Sequence, residues 1–96
     1  MTDLAITRKD GESGGRYVVK VEGHEAELTF SRIGTSADII ADHTGVPDEL
    51  AGRGIGKALI DFMIEDARTH GFRIVPLCPF IKAQYQRHPE WSDVVM

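Results

Sequence analysis

The feature that most constrains this chain is a change of hydrophobic period at Gly54. Between Gly54 and His70 apolar residues recur at helical spacing: Ile55, Ala58, Leu59, Phe62 and Met63 form one stripe, with Ile60, Ile64 and Ala67 beside it. Lys57, Asp61, Glu65 and Arg68 occupy the opposite side, which predicts an amphipathic helix laid on a sheet. Gly71 is placed to end it in the left-handed conformation.

Before Gly54 the apolar residues alternate instead. Leu4 and Ile6 predict a first strand, broken by the turn formers of Asp10 to Gly15. Tyr17 to Val21 is β-branched and aromatic, and Gly23 separates it from Glu25 to Ile33, where Ala26, Leu28 and Phe30 share one face. Gly34-Thr35-Ser36 then turns the chain into Asp38 to His43. After the long helix, Phe72 to Leu77 predicts a short strand, and Pro79 starts a second helix that runs through Arg87 and stops at His88-Pro89. The expected class is α+β, in the order ββββαβα: one mostly antiparallel sheet with two helices.

At 96 residues, 42 % of them apolar, the chain has the length of one compact domain and is expected to use residues 1–96 for it. Its net charge of −4 arises from 15 acids and 11 bases with no block of like charge, which argues against nucleic acid as a partner. The same mild acidity tolerates a cationic acceptor. Neither a signal sequence nor an apolar run near the ~18 residues of a membrane helix is present, so a cytoplasmic protein with no membrane partner is expected. Cys78 is the sole cysteine, which excludes an intrachain disulfide and a Cys-x-x-Cys zinc or redox pair; no metal is expected.

Gly52-Arg53-Gly54-Ile55-Gly56-Lys57 opens the long helix directly, a few residues after an extended stretch ending in Val46-Pro47. Small residues let a ligand approach the backbone, and the free amides and dipole of a helix start favour an anion. Arg53 and Lys57 add charge nearby, so the segment from Gly52 through Ala58 is a candidate phosphate site. Two nucleotide motifs fail on spacing. The P-loop needs glycine where Ala51 stands and Ser or Thr where Ala58 stands. The dinucleotide fingerprint needs glycine at Lys57 and a crossover unit where antiparallel strands are expected.

What remains, Ala51-Gly52-Arg53-Gly54-Ile55-Gly56, resembles the hallmark of the GNAT superfamily of N-acetyltransferases: Gln or Arg, two residues, Gly, any residue, then Gly or Ala. The glycines match, and Ala51 departs from the polar first position. Asp48-Glu49-Leu50 before the loop, and Pro76-Leu77-Cys78-Pro79-Phe80 through Tyr85-Gln86-Arg87-His88-Pro89 after the helix, extend the likeness to the minimal acetyltransferase-like subgroup from about Tyr17 to Ser92. The resemblance implies acetyl-coenzyme A as co-substrate, held at its pyrophosphate by the loop amides. It implies Val46, Gly52, Arg53, Gly54, Ile55, Gly56, Lys57, Ala58 and Tyr85 as cofactor-binding positions. It also implies that the strands ending near His43 and Cys78 splay apart to receive the pantetheine arm. The helix pair that usually follows the first strand is missing, and only the Asp10 to Gly15 loop stands in its place, so the acceptor site is expected to be open.

Three residues are candidates for the chemistry. His43 can accept the amine proton near neutral pH, or be a strand-end histidine bonded for structural reasons. Cys78 can be a nucleophile, a weak hydrogen-bond donor or inert packing, and a helix start beside it would lower its pKa. Tyr85 stands where the family carries a tyrosine that protonates the leaving thiolate, and is otherwise a half-buried helix residue. His24, His70 and His88 lie in turns or at helix ends, while Trp91 and Phe80 are expected in packing. The expected activity is transfer of acetyl from acetyl-coenzyme A to a primary amine, on a protein or a small molecule, by direct attack. The alternative is a coenzyme A-binding module without turnover, used for sensing or protein association. A purely structural interaction domain would not bind coenzyme A at all.

Overall fold

A computed structural model describes residues 5–96, so Leu4 lies outside the described residues. The strands are β1 (Thr7–Asp10), β2 (Gly14–Val21), β3 (His24–Arg32), β4 (Ile39–Gly45) and β5 (Ile74–Pro76). Helix α1 spans Ile55–His70 and α2 spans Pro79–Arg87, with single 3-10 turns at Asp48–Leu50 and Pro89–Asp93. The strands lie in chain order in one sheet, antiparallel except for the parallel pair β4–β5 that α1 connects.

Alternation along β2 to β4 sends Tyr17, Val19, Ala26, Leu28, Phe30, Ile39 and Ala41 to one face, where they meet Leu59, Ile60, Met63, Ile64 and Ala67 of α1. Fully burying each large apolar side chain contributes roughly 1.5 to 3 kcal/mol, so this face is the core of the fold. Ile81 of α2 and Trp91 complete it, and Phe80 of α2 meets Gly56 of α1, so both helices share that face. The other face presents Arg16, Lys20, Glu25, Glu27, Thr29 and Ser31, and no helix of the described residues covers it. None of these helices is long and apolar enough to cross a membrane.

The ββββαβα order and the two helices stand as expected, and α2 has the bounds that Pro79 and His88-Pro89 imply. Four details differ. The loop after β1 shrinks to Gly11–Ser13, because Gly14 and Gly15 belong to β2. Side chains there would collide with the carbonyls of Phe30 and Lys9, so these glycines serve close strand approach and not a turn. Strand β5 is shorter than Phe72 to Leu77, since Phe72 turns into the core and Leu77 is exposed. Phe62 sits at the rim of the helix stripe, with its ring edge-on to Tyr17 at 5.8 Å. Finally, β4 continues to Gly45, beyond His43.

A polar cluster spans the sheet and α1 at the end away from α2. The Tyr17 hydroxyl donates to Asp66 Oδ2 at 2.8 Å, and Arg8 Nη1 donates to the same oxygen at 2.6 Å. His70 Nδ1 lies 2.8 Å from Asp66 Oδ1. The Arg8 guanidinium also stacks over Phe30, 4.9 Å from its centroid. Burial raises the Asp66 carboxyl's pKa, but the hydrogen bonds from Tyr17 and Arg8 and the nearby positive charges outweigh it and leave the value lowered.

Candidate active site

The site begins with the backbone between Ala51 and Ala58. The Ala51 amide donates to Asp48 O at 3.1 Å, and the Ala58 amide donates to Gly54 O at 3.0 Å. Among the described residues no acceptor meets the six consecutive amides between them, from Gly52 to Lys57. Gly52 and Gly54 adopt φ of 77° and 75°, a left-handed geometry that glycine enters freely and other residues strain to reach. Gly54 is also the N-cap of α1, so no capping side chain competes for the helix's first amides. The result is a run of free donors at the positive end of a 16-residue helix.

These residues form one rim of an open cleft of about 520 Å³. Gly52, Gly54, Ile55, Gly56 and Lys57 line it on the loop side, together with Val46, Leu50 and Ala51. Thr44 comes from β4, and Phe80 and Gln84 come from α2. The opening follows from how β4 and β5 part. Their pairing ends at Ala41 with Pro76, where the Ala41 carbonyl accepts both the Leu77 and Cys78 amides at 3.1 Å. Beyond that point β4 runs on to Gly45 while Cys78 caps α2, and the strands separate.

Of the expected cofactor positions, Val46 and the residues from Gly52 to Lys57 other than Arg53 line the cleft. The Arg53 guanidinium instead pairs with Glu22, and Lys57 Nζ lies 2.9 Å from Asp61 Oδ2. Ala58 sits one residue beyond the rim. Tyr85 is not brought to the lining: it packs on the core beside Ile81, and Gln84 is the residue that shares Phe80's side of α2.

His43 and Cys78 are separated by the sheet. Phe30 pairs with Ala41 but Thr29 pairs with His43, so Asp42 is an extra residue, a β-bulge. Ser31 Oγ donates to the Asp42 carboxylate at 2.6 Å. The bulge moves His43 to the helix-free face with Thr29 and sends Thr44, opposite Leu28, to the helix face. There Thr44 Oγ1 lies 3.8 Å from Cys78 Sγ. Cys78 is 6 % exposed. Burial raises its thiol's pKa, but the Ile81 amide, the Thr44 hydroxyl and the Phe80 and Thr44 amides together leave it below the ordinary value.

The family model for the GCN5-related N-acetyl-transferase matches residues 16–94. This chain belongs to the GCN5-related N-acetyltransferase family. It is also similar to an NMR solution structure of a "GCN5-like putative N-acetyltransferase" from Staphylococcus aureus, at 34 % identity and a TM-score of 0.69. That match covers 94 % of this chain and 87 % of the other. In this GCN5-related chain the cleft mouth is the candidate site, and acetyl transfer is the general activity that family membership supports.

Five lining residues were not among the expected cofactor positions: Thr44, Leu50, Ala51, Phe80 and Gln84. Phe80, expected in packing, is 41 % exposed and forms the cleft wall. The i, i+4 spacing of Phe80 and Gln84 places both on one side of α2, a signal available from periodicity once Pro79 is taken as the first helical residue.

Proposed function

We propose that this protein transfers an acetyl group from acetyl-coenzyme A to a primary amine, with the cofactor's pyrophosphate at the amides of Gly52 to Lys57. The observation that carries this reading is the unbroken run of six unpartnered amides at a helix start. Such a run suits a polyanion because the donors are already oriented and cost no side-chain entropy to aim. Lys57 adds a charge at the rim, and the apolar walls of Val46, Leu50 and Phe80 suit the pantetheine arm. When bound, acetyl-coenzyme A supplies a thioester that a neutral amine can attack directly.

The chain's own groups divide that work. His43 stands exposed on the helix-free face, on the side from which an acceptor amine can approach, and takes its proton directly or through a water. Cys78 and Thr44 shape the inner wall. Tyr85 is the proposed donor to the leaving thiolate in this reading; it packs against the core and stands outside the cleft lining. The acceptor is an amine of a protein, such as a lysine or N-terminus, or of a small molecule, and the lone free thiol accords with a cytoplasmic setting.

A second reading, a coenzyme A-binding module without turnover, is favoured by Ala51 at the motif's polar position and by the helix-free acceptor face. Native mass spectrometry and calorimetry with coenzyme A test the binding common to both. Release of free thiol from acetyl-coenzyme A in the presence of mixed amines separates them: turnover supports the transferase, and tight binding with no amine-dependent release supports the module.

A further inference from the structure

Ala51, Gly52, Arg53 and Gly54 are all exposed, and the space where a β-carbon would stand on Gly52 or Gly54 is open. Packing therefore gives these four residues little anchorage, although the donor run depends on their backbone. Among the described residues one side-chain tie reaches them from outside the loop and its helix: Arg53 Nη1 donates to Glu22 Oε2. Glu22 is itself in an unfavourable place. With Gly23 it forms the two-residue turn between β2 and β3, at φ of 50° and 80°, the pattern of a type I′ turn. The first central position of such a turn suits Asn, Asp or Gly, so glutamate there opposes local preference. Its longer side chain is the one that spans to Arg53.

We infer that Glu22 is a positioning residue for the coenzyme A loop, holding Arg53 so that the Gly52 to Lys57 amides keep their direction before the ligand arrives. This rests on the reading of the loop as the pyrophosphate site. The Glu22 carboxyl is held below the usual carboxylate range by its hydrogen bond to Arg53 and by that residue's charge, so the pair stays ionised through neutral pH. The inference makes a claim about sign. On charge alone, an anion beside a site for a polyanion weakens binding, and its removal tightens it. As a tether, its removal loosens the loop and weakens binding, because the ligand must then order the backbone itself.

Glu22→Asn separates the two, since asparagine is favoured at this turn position and the fold is retained. Coenzyme A affinity is measured by calorimetry at low and high salt, and backbone order parameters of Arg53 and Gly54 are measured by NMR without ligand. The expected result is binding weaker by about three- to tenfold, with order parameters falling from about 0.85 toward 0.6. In an Arg53→Ala background, Glu22→Asn should then have no further effect on affinity, which a general loss of stability would not reproduce. Unchanged order parameters overturn the inference whatever the affinity does. Affinity that is unchanged or tighter also overturns it. Failure of the unaltered protein to bind coenzyme A removes the pyrophosphate reading instead, and the ligand-free order parameters then decide the tether alone.

Discussion

The ring of Phe80 rests against the bare α-carbon of Gly56: a β-carbon built there would lie 3.0 Å from Cε2 and 3.2 Å from Cζ of the ring. This contact joins the two walls of the cleft. Gly56→Ala should push the half-exposed ring aside while gaining helix propensity, so stability should stay within about 1 kcal/mol. Coenzyme A affinity should fall because the wall has moved. Thermal melts with calorimetry check this, and adding Phe80→Ala to Gly56→Ala should relieve the crowding.

Gly54→Val places a β-branched residue at φ of 75°, where no atom blocks it but the backbone disfavours it. The variant should fold with a loss of about 1 to 2 kcal/mol and should lose coenzyme A binding, because the helix's first amides turn with the loop. Undiminished affinity in a folded variant would remove the loop from the site.

Lys57→Ala should weaken coenzyme A binding by about 0.5 to 2 kcal/mol, as one charge-assisted contact among several backbone ones. Part of its charge is already engaged by Asp61 at 2.9 Å. Titrations at rising salt should shrink the difference between variant and parent.

Cys78→Ser should reduce turnover by about tenfold or less, the scale of one hydrogen bond, because direct attack by the amine asks only that residue 78 fill the wall beside Thr44. Intact-protein mass after brief exposure to acetyl-coenzyme A without acceptor should show no acetyl group on Cys78. A stoichiometric gain that amine discharges at the turnover rate would replace direct attack with a relay.

Asp66→Asn should cost about 1 to 3 kcal/mol, since Tyr17, fully buried, and Arg8 both lose an ionised acceptor. The lowered pKa of Asp66 also sets a pH window. The folded value lies below that of an unfolded aspartate, so the stabilisation is complete above about pH 4 and is lost as pH falls through the folded value. Denaturant unfolding at pH 7 and pH 3 should show a smaller gap between variant and parent at the lower pH.

Local pattern made much of this architecture legible. The bounds of α2 follow from Pro79 and His88-Pro89, and the core stripe of α1 follows from its period, because both depend on neighbouring residues. The side of the sheet to which His43 belongs was not legible. Simple alternation from Ile39 and Ala41 continues to His43 on the core face, and only the extra residue Asp42, visible in the pairing with β3, reverses it. The Arg8–Asp66 contact joins residues 58 apart, and the Arg53–Glu22 contact residues 31 apart. No periodicity encodes such pairs. Phe80 read as packing because an aromatic at a helix start usually is; its exposure follows from the splay of β4 and β5, a tertiary property.

The strands stand in the sheet in the order in which they occur in the chain, and this bears on how the molecule comes into being. During synthesis each of the first four strands finds its partner in the one made just before it, so the meander can zip together with short loop closures. The glycine loop and α1 come next, and the opposite wall of the cleft, Phe80 and Gln84 of α2, is made after both. A nascent chain halted before α2 would carry the donor run with nothing facing it. The cleft is thus complete only once α2 has docked.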